Sequence, residues 1–542
     1  MSPLGTRNYF VLFGFLGLIC LVGLFVPLMD NDAAHHANIA LHMYLTGDYV
    51  NLVDNGKDYL DKPHLHFWLA ALSYQLFGVN GVAYKLPSFL ISIGGVFSLY
   101  KLGVVLFNRE AGRLSALILA TSFAFFISLS DVRMDAILVS AICFSCWQII
   151  EIINRKQWFY ILGASLGLAV GFSVKGSVGL LVPTLFTGWY LLEKKQGRFL
   201  WSPRFILMGV LSILFISPVL YCYYLQFDLH PEKSVRAINH ISGIKFALIG
   251  GATERFSGGM SNDAGKDWFF FFHTFLWAFA PWSVLAYMSI VKTLREKKNW
   301  FLSATVLSLA LLIGFAGSKL PHYLNISFPF AALLVAWMLN EKPIKGAIAI
   351  ILYSMTGILL ASNFLVNGWL FPEKIYRLFL FFAVFMFGSI FSSKTPVDTK
   401  PFAYLIRAAL YLYLFLNMNF YFQLLNYQGG QTLAEKIKGN IPSQNVFFWK
   451  DNYSSSFCFA TKTLRRELTD STKINTLQTA NYLVYDSFYE KEIADHGWVL
   501  GEKISVLDFE ITKIDKEFAN PETREARCSK LIIARLLFFR QK

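Results

Sequence analysis

The sequence predicts a mainly α, polytopic transmembrane protein that ends in a separate extracytoplasmic domain of α/β or α+β type. Of its 542 residues, 55% are hydrophobic and 15% are charged, whereas soluble domains carry about 25% charged residues. Apolar windows of the length that crosses ~30 Å of hydrocarbon recur as far as Leu424. From about Asn426 the chain turns to mixed charge and short alternating apolar runs, and a domain of ~110 residues is of ordinary size. The division is therefore 1–425 within the membrane and 426–542 outside it.

The apolar segments run 9–28, 86–107, 115–129, 136–153, 159–174, 178–192, 205–225, 268–291, 301–316, 323–339, 347–364, 378–391 and 402–424, about thirteen spans. The first is preceded only by Arg7 and leads into Pro27 and Asp30 instead of a small-residue cleavage site, so it is expected to remain as an anchor. Basic residues mark alternate loops: Arg109 and Arg113, Arg155 and Lys156, Lys194 with Lys195 and Arg198, the run KTLREKK from Lys292, Lys342 with Lys345, and Lys394 with Lys400. The positive-inside bias puts these loops and the N-terminus in the cytoplasm. The opposite side then receives 30–63, 130–135, Lys175, 226–267, 317–322, 367–377 and the tail after Tyr427. The formal charge of +14 is mostly this topology, with some attraction to anionic membrane lipids, and gives no reason to invoke nucleic acid.

The tail holds apolar runs NVFFW from Asn445 and NYLVYD from Asn481, and a helical pattern QTLAEKIKG from Gln431. Cys458 and Cys528 can pair if the compartment is oxidising; Cys20, Cys143, Cys146 and Cys222 lie in or beside apolar spans. No zinc spacing, phosphate-binding glycine loop or internal repeat is present in the sequence.

Chemistry must then come from the outer loops. Residues 33–45, AAHHANIALHMYL, have apolar positions at helical spacing with His35, Asn38 and His42 on another face, as in a helix lying at the membrane interface with Asp32 at its start. Asp30 or Asp32 equally suits a helix cap, and Lys62 before Pro63 equally suits a lysine reaching up from the interface. Arg133 and Asp135 in DVRMD, Lys175 in SVKGS, and Lys319 with His322 in GSKLPHY add ionisable groups in separate outer loops. Isolated cations gathered on one face point to a phosphate site. The polar loop 226–267 reads as a connector or as a lid over that site. The aromatic run FFFFHTFLWAF after it is expected to face lipid or the bundle, with some rings along a groove for an isoprenoid chain and His273 as an interhelical partner.

The set TGDY, YLDKP, the RMD loop, SVKGSVGLLVP, HTFLWAFAPW and GSKLPHYLNISFP, in this order over 7–424, resembles the membrane glycosyltransferases related to the lipid A aminoarabinose transferases and the protein O-mannosyltransferases. That resemblance implies a GT-C fold and transfer of one sugar from a polyprenyl phosphate donor to a glycolipid or protein acceptor at the outer face of the cytoplasmic membrane. It implies Asp32 as the catalytic aspartate. The family's arginine three residues on is His35 here, able to replace it when protonated. Asp61 and Lys62 match the acidic residue and lysine of the family's E-K-P-P motif, with His64 in place of the second proline and Tyr59 as the preceding aromatic residue. Asp135 matches the aspartate of the second outer loop, and Tyr323 the tyrosine at the lipid phosphate.

On this reading Lys62, Arg133, Lys175 and Lys319 stabilise charge on the leaving phosphate while Asp32 takes the acceptor's proton, with inversion by single displacement. Asp61 orients Lys62 or binds a divalent ion, with His35, His64 or His240 as further ligands; no cofactor is required. Asp30 is expected to matter little, and the tail to pack on the outer loops or help choose the acceptor. A transporter of lipid-linked sugars is the rival class, and it predicts charges near mid-span and broken helices in two related halves.

Overall fold

The computed structural model describes residues 5–30, 32–131, 134–155, 157–235, 238–256, 267–372, 397–442, 445–450, 454–468 and 481–539. The chain opens with α1 (Thr6–Gly23), α2 (Asp32–Thr46), a hairpin of β1 (Val53–Asp54) and β2 (Lys57–Asp58), and α3 (Leu65–Phe77). Next, α4 (Gly81–Leu106) and α5 (Arg109–Ala120) start where Asn80 and Asn108 accept bonds from backbone N–H groups of the first turn, which satisfies donors a helix start leaves unpaired. They are followed by α6 (Phe123–Ser130), α7 (Asp135–Arg155), α8 (Phe159–Lys175), α9 (Val178–Glu193) and α10 (Pro203–Tyr223). A second hairpin, β3 (Ser234–Val235) and β4 (Ile238–Asn239), leads through the short α11 (Gly243–Lys245) and α12 (Gly251–Phe256). The membrane part is completed by α13 (Phe270–Ala278), α14 (Ser283–Glu296), α15 (Trp300–Gly314), α16 (Phe328–Glu341), α17 (Ala347–Phe364) and the helix Lys400–Phe415.

All the expected apolar segments fall on helices except 378–391, which lies outside the described residues. Among the described residues, six helices are long and apolar enough to cross a membrane, or eight if each of two bent pairs is one span. The rest are shorter apolar helices, such as Phe159–Lys175 and Val178–Glu193. Two segments expected as straight spans are broken: α5 and α6 meet at 58°, and α13 and α14 at 118°. The second break falls at Pro281, which cannot donate to a helix. The two breaks satisfy each other. Phe123 N donates to the Ala280 carbonyl at 3.0 Å, and the Trp282 indole donates to Thr121 Oγ1 at 3.0 Å. Tyr413 Oη donates to the Thr121 carbonyl at 2.6 Å. Irregular backbone inside a bundle is tolerated only when its polar groups are paired this way.

Three of the basic loops, at 193–198, 292–299 and 341–345, meet. The Glu193 carboxylate accepts from the backbone N–H groups of Asn299 and Phe301, and Glu341 holds Lys292 at 2.9 Å and Lys298 at 2.8 Å. The bent α13–α14 pair runs from Asp267, whose carbonyl accepts from Lys319, to the turn before Asn299, whose N–H donates to Glu193.

The C-terminal part is built on a five-stranded mixed sheet in the order β6-β5-β7-β9-β8: β5 (Val446–Trp449), β6 (Glu467–Leu468), β7 (Asn481–Asp486), β8 (Trp498–Asp508) and β9 (Ser529–Phe539). The apolar runs from Asn445 and Asn481 are β5 and β7, which pair in parallel, while β9 runs antiparallel to β7 and β8. Leu433 and Ile437 of the helix Gly429–Ile437 pack with Phe448, Val484 and Ile533 on one side of the sheet. The expectation that Cys458 and Cys528 can pair is corrected: both are free thiols. Cys458 belongs to that core, whereas Cys528 packs toward the membrane bundle and points its Sγ at the Arg524 carbonyl.

Candidate active site

The alanines of α2 set the site. Ala33, Ala34, Ala37 and Ala40 are fully buried, and side chains this small let α2 lie close against α3. His35 is left half-buried on the other face, one turn from Asp32 at the helix start. Asn38, expected on the polar face, is instead buried and donates to the Ser455 carbonyl at 2.8 Å.

Facing His35 is a residue that sequence reasoning missed. Asn55 and Gly56 take φ of +52° and +77°, the turn that joins two short strands, and the hairpin presents Asp54. Its Oδ2 lies 2.8 Å from His35 Nε2. Burial works against a charged imidazole, but Asp54, with Asp32 and Asp61 beyond it, holds the His35 pKa above its ordinary value. Tyr59 meets His35 edge to face at 5.7 Å between ring centres. Burial, and then the charges of Asp61, Asp54 and Asp32, keep its phenol protonated. Asp61 and Lys62 form a direct ion pair.

A second group comes from the bundle. Lys175 is the last residue of α8, and Gly176 follows at φ +63° and ψ −146°, a conformation that glycine adopts without strain. The chain then turns back into α9, and Gly171 and Gly179 touch so closely that a Cβ on Gly179 would fall 2.0 Å from the Gly171 carbonyl carbon. This turn aims Lys175 at Asp135, with Nζ 2.5 Å from Oδ1, and over the Tyr323 ring at 5.7 Å. Both ionised side chains are nearly buried.

The two groups share one cavity of about 30 Å³, lined by Asp61, Pro63, Lys175, Ser177, Tyr223 and Phe246 among others. Its roof is Phe246, Ala247 and Gly251, from the loop expected as connector or lid. The base of that loop is tied to the hairpin: Gln226 pairs its amide with both the N–H and the carbonyl of Leu52, at 2.9 and 2.8 Å. Asp58 accepts from Gln226 and Lys233.

Of the residues singled out in the sequence, the structure thus gathers Asp32, His35, Tyr59, Asp61 and Lys62, and joins Asp135, Lys175 and Tyr323 to them through the cavity. Lys319 is buried and donates to the Asp267 carbonyl at 2.8 Å beside Trp268. Arg133 lies outside the described residues. The metal candidates do not gather: His64 is buried with Nε2 on the Val50 carbonyl at 2.8 Å, and burial pushes its pKa down to about 4. His240 is exposed beyond β4. Among the described residues no three His, Cys, Asp or Glu side chains are placed to hold a metal ion.

Comparison with known proteins agrees with this architecture. The family described as dolichyl-phosphate-mannose-protein mannosyltransferase matches residues 61–222. An undecaprenyl phosphate-alpha-4-amino-4-deoxy-L-arabinose arabinosyl transferase of Pseudomonas fluorescens is 24% identical over 325 residues, 58% of this chain and 53% of the relative. The corresponding enzyme of Pseudomonas aeruginosa is 24% identical over 331 residues, 59% and 56% of the two chains. The match thus spans little more than half of these relatives' length. The crystal structure of ArnT from Cupriavidus metallidurans bound to undecaprenyl phosphate superposes with a TM-score of 0.73, covering 98% of both chains at 16% identity. The fold is therefore that of the GT-C membrane glycosyltransferases.

Proposed function

We propose that the protein transfers a single sugar, with inversion, from an undecaprenyl-type phosphate donor to a lipid A-like glycolipid at the outer face of the cell's inner membrane. The observation that carries this reading is the cavity that Asp61 and Lys175 both line, which sets the carboxylate-rich cluster around His35, where Asp61 pairs with Lys62, beside the Lys175–Asp135 pair.

Both lysines are held by carboxylates, Asp61 and Asp135. A donor phosphate competes for them, and as the sugar–phosphate bond breaks they balance the charge growing on the leaving oxygen. Asp32 accepts the proton of the attacking hydroxyl, and one carboxylate suffices for an in-line displacement. Protonated His35 and the Tyr59 phenol are donors for sugar hydroxyls. The positive-inside bias of the basic loops supports a cytoplasmic N-terminus and a periplasmic tail, which reporter fusions after Lys298 and Gly430 test.

The acceptor test compares lipid A mass and the periplasmic glycoprotein profile with and without the gene. A sugar missing from lipid A supports the glycolipid acceptor; one missing only from secreted proteins replaces it with a protein acceptor. An unchanged profile of both, with no transfer by the purified protein, removes the transferase reading.

A further inference from the structure

Asp30 is half-buried and bound from the far end of the sequence. Its Oδ1 accepts from Ser456 N at 2.6 Å, and its Oδ2 accepts from the hydroxyls of Ser454 at 2.8 Å and Ser456 at 3.0 Å. Its own N–H donates to Gln428 Oε1 at 2.6 Å, and Gln428 Nε2 donates to the Leu28 carbonyl at 2.9 Å. Within α2 the Asn38 side chain donates to the Ser455 carbonyl. Phe459, from the same short helix Ser455–Thr461, belongs to the apolar core that α2 and α3 form. Gly430 makes the approach possible, since a Cβ there would fall 1.8 Å from Ser454 Oγ.

From this arrangement we infer that the C-terminal domain is a positioning element of the active site, clamping α2 through Ser454 and Ser456 on Asp30 and through Ser455 on Asn38. The inference rests on the transferase reading above. Asp32, the candidate base, is two residues from the clamped carboxylate, and His35 lies between the two clamped residues. The hairpin holds α2 from the other side through Asp54. A helix gripped on two sides keeps its base in one place, and a shift of about 1 Å at a reacting group can cost about 100-fold in rate. In this role Asp30 and the serines act through α2, not on the reacting atoms themselves.

The test uses the full-length protein in detergent. Ser454→Ala with Ser456→Ala removes two donors from a carboxylate that stays in place. We expect turnover to fall tenfold or more with the donor KM within about twofold, and hydrogen exchange of the peptide 32–46 to rise while that of α7 is unchanged. Adding Asp30→Ala removes the stranded charge, so melting temperature should return toward wild type while turnover stays low and α2 exchange stays high. Asn38→Ala repeats the question with a milder change if the triple variant does not insert. Turnover that recovers together with melting temperature, or α2 exchange that never moves, overturns the inference. The exchange readout needs no activity, so wild-type protein that fails to transfer would count against the proposed function and leave the clamp to be judged by exchange alone.

Discussion

His35 Nε2 sits 2.8 Å from Asp54 Oδ2, so the helix that begins with Asp32 and the hairpin that precedes Asp61 are joined by a contact that depends on one proton. Because the folded pKa of His35 is raised, this contact contributes fully below the ordinary histidine value of about 6.5 and is lost as pH rises through the raised value. His35→Gln should lower melting temperature and turnover at mildly acidic pH, and the difference from wild type should shrink as pH rises. A pH-independent difference would show that the imidazole is not charged there.

Asp32 is the acidic residue at the start of α2, facing the same cluster. Asp32→Asn keeps the shape and removes the base, so turnover should fall by about 100-fold or more with donor binding retained. Measured turnover near wild type would move the base elsewhere, with Asp54 the next residue to change.

Much of this site was legible in the sequence, because α2 and the Lys175–Gly176 turn are local: helical period fixes the first, and a glycine at positive φ fixes the second. Asp54 was legible too but overlooked, since Asn55-Gly56 is a hairpin signal and the two strands it joins are only two residues long. The breaks at Thr121 and Pro281 were hidden because hydropathy averages over a bend that other helices satisfy. The clamp on Asp30 could not be read at all. Its serine partners are 424 and 426 residues away, and no local pattern records a contact at that separation. This geometry also revises the expectation that Asp30 matters little: a carboxylate receiving three bonds is costly to replace.

The lysines should separate by place. Lys175→Met leaves Asp135 buried without its cation, which costs about 3–5 kcal/mol when a buried pair loses one member. Lys175→Met with Asp135→Leu should recover stability but not use of the polyprenyl phosphate sugar. Lys62→Ala should weaken donor use with less effect on folding, its side chain being 17% exposed. Lys319→Ala should lower melting temperature by releasing Asp267 and affect the donor less than either. Donor KM and melting temperature measured for all four variants decide this; a Lys319→Ala protein as stable as wild type but unable to use donor would return Lys319 to the phosphate site.

The cavity between Asp61 and Lys175 holds about 30 Å³, room for one or two water molecules and far too little for a sugar. Either the donor reaches these groups from elsewhere, or the roof over them moves. Phe246, Ala247 and Gly251 are borne on a loop fastened at its base by Gln226, Asp58 and Lys233, and Gly176 beneath it lets the Ala247 carbonyl come close. If the loop acts as a lid that closes over bound donor, it also keeps water from the anomeric carbon, because water is the competing nucleophile in such a transfer. Phe246→Ala removes the largest roof side chain, so the donor should still bind but more of its sugar should be lost to water. Free sugar and transferred sugar, measured together in one reaction, should shift severalfold toward free sugar in the variant. An unchanged ratio, with the variant folded and active, would mean that the loop is a connector and that some other part of the chain excludes water from the reaction.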